Sequence, residues 1–121
     1  MQEAIERLRR EFPDRPLIFL PEQNPLEVII ELVTLDQRGE AIALITRSAP
    51  HVHHKTVEVY YVQEGILCLY TDGRPHLLFP GDRFLVIPHV THWATGNATR
   101  VRIVTYPPWS AEDHILVESP L

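Results

Sequence analysis

The sequence predicts an all-β fold, a sandwich or a closed barrel, with one short helix at its N-terminus. From Pro16 onward, short runs rich in Val, Ile, Leu, Tyr and Phe recur at intervals of about ten residues, the rhythm of successive strands. Most of the 11 prolines fall between those runs, where a missing N–H costs no ladder hydrogen bond. Asp72-Gly73 offers the pair of positive-φ residues that a two-residue hairpin requires.

Taken in order, Ala4, Ile5, Leu8 and Phe12 stand at helical spacing and Pro13 stops them, which predicts an amphipathic helix over residues 2–11. The strands predicted after it run over 17–20, 26–35, 41–47, 51–53, 57–63, 66–71, 76–79, 83–87, 92–95, 101–106 and 114–118. Further turns are expected at Gln37-Arg38-Gly39, Pro80-Gly81-Asp82 and Gly96-Asn97. No repeat, low-complexity tract or linker interrupts them, so the chain reads as one domain over 1–121. Within it, a helix and arm occupy 1–15, the barrel 26–106 and a tail 107–121, the tail expected to wrap a neighbouring surface.

Composition narrows the partners. The 121 residues carry a formal net charge of −5, and their only basic run is Arg7 to Arg10, so the chain has no general attraction for phosphate backbones and nucleic acid is not expected. No apolar run reaches the roughly 18 residues of a membrane span, and the charged N-terminus resembles neither a signal nor a transit peptide. The single cysteine, Cys68, cannot form an intrachain disulfide, and a cytoplasmic location is expected. It reads as a small buried apolar residue rather than a nucleophile.

The chemistry concentrates in His51-Val52-His53-His54, with Glu58 shortly after and His92 beyond the Pro80-Gly81-Asp82 turn. Alternation along a strand puts His51 and His53 on one face and His54 on the other, so only the first pair can share an ion. Glu58 has the wrong parity to join them unless the chain turns or bulges at Lys55-Thr56. Three imidazoles and a carboxylate make a mixed nitrogen and oxygen donor set, suited to one divalent transition metal per chain: Mn, Fe, Co, Ni or Zn rather than Ca or Mg.

These residues also carry a family resemblance. HVHHKTVEVYYVQEG is similar to the first cupin motif, in which two histidines one residue apart are followed by a glutamate and then a glycine; His51, His53, Glu58 and Gly65 match it position by position. GDRFLVIPHVTHWATGN resembles the second motif, with His92 eleven residues after Gly81. The chain departs from the pattern at turn and packing positions: Ile45, Ile87 and His89 stand where glycine, proline and glycine are expected, and Gly96 where asparagine is expected, with Pro88 and Asn97 next to their places.

The resemblance implies a cupin-type double-stranded β-helix, a jelly-roll barrel of two facing antiparallel sheets. It also implies that His51, His53, Glu58 and His92 project inward as metal ligands, and that two such chains pair as a homodimer. The extra N-terminal helix and strand, which need apolar cover, point to the same assembly. It further implies metal-dependent chemistry on a small oxygen-rich molecule, as in isomerases, epimerases and dioxygenases of the superfamily, or a non-catalytic role in binding or sensing such a molecule. Fold alone does not choose among them. Glu58 argues against a thiol dioxygenase, because the cupins with that activity lack the motif carboxylate.

The remaining candidates are secondary. His89, three residues before His92, stands where it could rim the pocket; His54, His76 and His114 read as surface or interface residues. Arg47 and Tyr106, at strand ends, could meet an anionic substrate but read as surface residues, and Trp93, beside His92, could close a wall of the pocket.

Overall fold

A computed structural model describes residues 1–118. Helix α1 (Gln2–Glu11) is followed by ten strands: β1 (Ile18–Leu20), β2 (Glu27–Thr34), β3 (Gly39–Arg47), β4 (His51–Val52), β5 (Val57–Glu64), β6 (Leu67–Thr71), β7 (Arg74–Leu78), β8 (Arg83–Val86), β9 (His92–Tyr106) and β10 (Ile115–Leu116). Every pairing is antiparallel, and the double-stranded β-helix expected from the motifs is the architecture found. No helix among the described residues is long and apolar enough to cross a membrane.

The expected break at Gly96-Asn97 is not a hairpin. Residues 92–106 form one strand that changes partners: its first residues pair with β4 and β6, and those from Thr99 onward pair with β3 on one side and β5 on the other. One bent strand thus belongs to both halves of the barrel. The bend is sharp enough that Ala98 adopts φ 48, and a β-carbon on Gly96 would stand 2.4 Å from Thr99 Oγ1 and 2.9 Å from the Ile45 carbonyl oxygen. Glycine is there because Thr99 and the backbone of β3 occupy the space a side chain needs. The Asp72-Gly73 expectation holds: φ is 47 and 80 at the two residues, as a tight turn between β6 and β7 demands.

Alternation along β2 and β3 creates two separate apolar clusters. Ala43 and Ile45 point into the barrel with Tyr60, Val62, Leu67, Leu69, Val86, Ala94 and Val101. Val28, Ile30, Ile42 and Leu44 point outward, where α1 covers them with Ile5 and Leu8. The helix therefore caps its own sheet, and the need for a partner to cover it, one reason to expect a dimer, disappears.

The tail also differs from expectation. Instead of wrapping a neighbouring surface, it makes a single 3-10 turn (Ala111–Asp113) and adds β10 to β4, pairing Ile115 with Val52 and Leu116 with His51. The strand expected over 114–118 shrinks to these two residues.

Candidate metal centre

His51 and His92 sit opposite each other on β4 and β9, and both are buried. His53 follows one residue past β4, on the same side as His51. The parity problem at Glu58 is solved by the turn His54-Lys55-Thr56, which is tied down by one carboxylate. Asp113 accepts the backbone N–H of His54 at 2.9 Å, of Lys55 at 3.1 Å and of Thr56 at 2.9 Å, and the Thr56 hydroxyl at 2.8 Å. That turn resets the alternation, so β5 starts with Glu58 facing inward beside Tyr60 and Val62. Burial pushes the Asp113 carboxyl up, but the Thr56 hydroxyl and the three N–H donors outweigh it and bring it down to about 2.

The four side chains meet in the interior. Glu58 Oε1 lies 2.7 Å from His92 Nε2, 3.1 Å from His53 Nε2 and 3.9 Å from His51 Nε2, and one ligand atom from each residue falls within 4.8 Å of every other. The far side of each ring is committed to a backbone carbonyl: His51 Nδ1 donates to Ala49 at 2.8 Å, His53 Nδ1 to Asp113 at 2.7 Å and His92 Nδ1 to Val90 at 3.0 Å. A carbonyl only accepts, so these bonds place the proton on Nδ1 and leave the Nε2 lone pairs of the neutral rings aimed at a carboxylate. Three lone pairs and an anionic oxygen repel one another unless a cation or protons stand between them. The group could therefore hold a metal ion. Where protons rather than a cation fill that place, burial raises the Glu58 carboxyl, but rings protonated on Nε2 as well as Nδ1 donate to it and hold it well below the usual carboxylate range.

Three further residues belong to this neighbourhood and carried no clear sequence signal. Glu27 pairs with Ile45 across β2 and β3, which puts it on the barrel-facing side of β2. Although the residue as a whole is only half-buried, its carboxyl is enclosed; burial first, then the charge of Glu58, lifts it to about 7. Tyr60 is buried next to the same two carboxylates and its hydroxyl stays protonated. His114 is not a surface residue. It stacks on His51 at 4.4 Å between centroids and 29°, and it accepts the Trp109 indole N–H on Nδ1 at 3.3 Å. Burial and the neighbouring rings of His51 and His53 lower it to about 4.

The other candidates fall outside the group. Trp93 has the opposite parity to His92: it lies flat on Tyr70 at 4.1 Å, with the Arg47 guanidinium 4.9 Å above it, and forms outer wall rather than pocket wall. Arg47 and Tyr106 are exposed, as expected, and His76 shares a hydrogen bond with the Thr71 hydroxyl while packing on Phe84. Cys68 is half-buried rather than a core residue, on the opposite side of β6 from Leu67 and Leu69.

Comparison with known proteins agrees with this geometry. The sequence profile of the Cupin domain family matches residues 41–106, which span every proposed ligand. The chain belongs to the cupin family. Among solved cupin-like folds, KdgF from Halomonas sp. superposes with a TM-score of 0.71 at 17% identity, covering 84% of this chain and 94% of that one. Pac13 from Streptomyces, described as a nucleoside dehydratase, gives 0.74 at 12% identity over 88% and 89%. An RmlC-like cupin from Shewanella frigidimarina gives 0.66 at 22% identity over 84% and 90%. At these identities the likeness establishes the fold alone. A search of curated protein sequences finds no match.

Proposed function

We propose that this cupin is a metal-dependent enzyme that moves a proton on a small oxygen-rich substrate such as a sugar, a hydroxy acid or a keto acid, in the manner of an isomerase or epimerase. His51, His53, Glu58 and His92 would hold the divalent transition metal, which when bound supplies Lewis-acid polarisation of a substrate carbonyl. The observation that carries the reading is Glu27, an enclosed carboxyl on the barrel-facing side of β2, under the influence of Glu58 and poised near neutral pH.

In this reading Glu27 as carboxylate removes a proton from the carbon beside the carbonyl. The C–H electron pair becomes the C=C bond of an enediolate as the carbonyl π pair moves onto its oxygen. Glu27 then returns the proton to the neighbouring carbon while the hydroxyl proton passes to the former carbonyl oxygen, or, in epimerisation, Glu27 keeps its proton and a donor on the opposite face supplies the new one. Tyr60 and His114, whose Nδ1 accepts from Trp109 so that its proton sits on Nε2, supply neutral donors that orient substrate oxygens. One structural relative, Pac13, is described as a nucleoside dehydratase, which is consistent with a catalytic role for such a barrel.

The test is proton exchange. Sugars, hydroxy acids, keto acids and uridine are incubated with metal-loaded protein in deuterated water and followed by NMR. Deuterium entry beside a carbonyl, slowed about 100-fold or more in Glu27→Gln with metal content unchanged, supports the reading. Oxygen consumption without exchange moves it to a dioxygenase, and binding without turnover moves it to a non-catalytic binding protein.

The proposal includes a homodimer, now resting on the exposed apolar Leu85 and Ile87 at the outer edge of the barrel rather than on α1. A monomer mass that stays constant with concentration in light scattering removes that part.

A further inference from the structure

Behind the proposed centre, on the solvent side of the turn that follows His53, a second pair of imidazoles meets. His54 and His89 are both exposed, their Nδ1 atoms stand 3.0 Å apart and their ring centroids 5.1 Å apart. Neither backbone is free to carry its ring away. The His89 N–H donates to the His53 carbonyl oxygen at 2.7 Å, and the His54 N–H donates to Asp113 at 2.9 Å.

His89 also has φ 71, in the left-handed region that a β-carbon disfavours. It occupies the position where the second sequence motif expects glycine, which would adopt this conformation without strain. An imidazole held in a strained conformation against a second imidazole calls for a reason.

The spacing supplies one. Two imidazole nitrogens bound about 2.1 Å from one ion stand about 3.0 Å apart when they subtend a right angle, and about 3.4 Å apart at a tetrahedral angle. The observed separation, that of an N–H···N hydrogen bond, already lies within about 0.4 Å of either spacing, so both nitrogens can reach one ion with little movement of two exposed rings. We propose that His54 and His89 form a second site for a divalent transition ion, held by the two Nδ1 atoms with water in its remaining positions.

In the metal-free pair one Nδ1–H donates to the other Nδ1. On binding, that proton moves to Nε2 of its own ring through solvent, so both rings remain neutral and no charge is lost. An ion there fastens the loop leading to His92 onto the turn that follows His53. It does so from outside, without entering the barrel.

The experiment is titration of metal-free, tag-free protein with Ni(II) alone, followed by isothermal calorimetry. Wild type is compared with His54→Ala, His89→Gly and His53→Ala, and folding is checked by circular dichroism. His89→Gly removes the imidazole and relieves the left-handed strain at once, so it retains the fold. Wild type is expected to take two ions per chain, and His54→Ala and His89→Gly one each, the second event weakened at least tenfold and the first unchanged. With Cu(II), electron paramagnetic resonance is expected to show a two-nitrogen signal that both variants lack.

A wild type that takes one ion, lost in His53→Ala, overturns the rim site and leaves the centre intact. Two ions retained in both rim variants overturn it as well.

Discussion

The two faces of β2 and β3 are made by the same residues in alternation, yet they are built for different ends. The outward face, Val28, Ile30, Ile42 and Leu44, is wholly apolar and sealed by Ile5 and Leu8 of α1. The inward face is apolar in its middle, at Ile29, Ala43 and Ile45, and also carries Glu27, whose carboxyl is influenced by Glu58 across the interior. Burying apolar surface stabilises the fold; enclosing carboxyls and imidazoles costs stability unless each is paired or meets a cation. One face therefore supports the fold and the other carries the chemistry, and substitutions should separate the two.

The largest effect is expected at the inward face. Glu58→Ala removes the only anion among four converging ligands, and elemental mass spectrometry should fall from about one bound transition ion at the centre to none. Wild type that holds no ion after reconstitution breaks the comparison, because the inward face would then have no cation to offset its charges.

On the outward face, Leu8→Ala should cost about 3 kcal/mol in chemical denaturation, since Leu8 is fully buried, while leaving the metal content of folded protein unchanged. Loss of metal in step with stability would show that the faces are not independent.

Asp113 braces the turn between the faces' two ends of the site, and Asp113→Asn should lower both quantities: stability by about 2 kcal/mol and metal affinity about tenfold. The sign with pH follows from its depressed value. The folded protein keeps this carboxylate ionised down to about 2, against an ordinary 3.8, so its contribution is full above about pH 4 and lost as pH falls toward 2. The acid side of the stability curve should therefore flatten in the variant.

The smallest effect, and the most discriminating, is at Glu27. Its carboxyl is raised, so the folded metal-free protein holds a proton that the unfolded chain releases, and stability falls as pH climbs from about 4.5 through about 7. Glu27→Gln should accordingly stabilise metal-free protein by about 1–2 kcal/mol at pH 8 and by almost nothing at pH 4. Metal loading should shrink the difference, because a cation at Glu58 offsets the repulsion that contributes to the shift.

Much of this was legible in the residues. The strand rhythm, the helix ending before Pro13 and the Asp72-Gly73 turn follow from local properties, namely the period of apolar residues and backbone permissiveness; that His51, His53, Glu58 and His92 converge is what the resemblance to the two cupin motifs implied. The stop at Gly96-Asn97 was misread because a glycine that makes room for a crossing strand looks the same in sequence as one that turns the chain. Glu27 was missed because alternation shows that β2 has two faces without saying which one lines the barrel. His114 and Asp113 were missed because the tail has no periodicity of its own, and its residues acquire roles only by lying against β4 and the turn before β5.

The sequence by itself thus determined the all-β class, through the rhythm of apolar runs, and the candidate ligands and the kind of ion they suit, through donor type and the match to the two cupin motifs. Only the tertiary structure decided how Glu58 comes to share a face with His53, which carbonyls fix the three rings, and that Glu27 and His114 attend the centre. Each of these depends on contacts between segments far apart in the chain, and no local pattern encodes which distant segment will arrive.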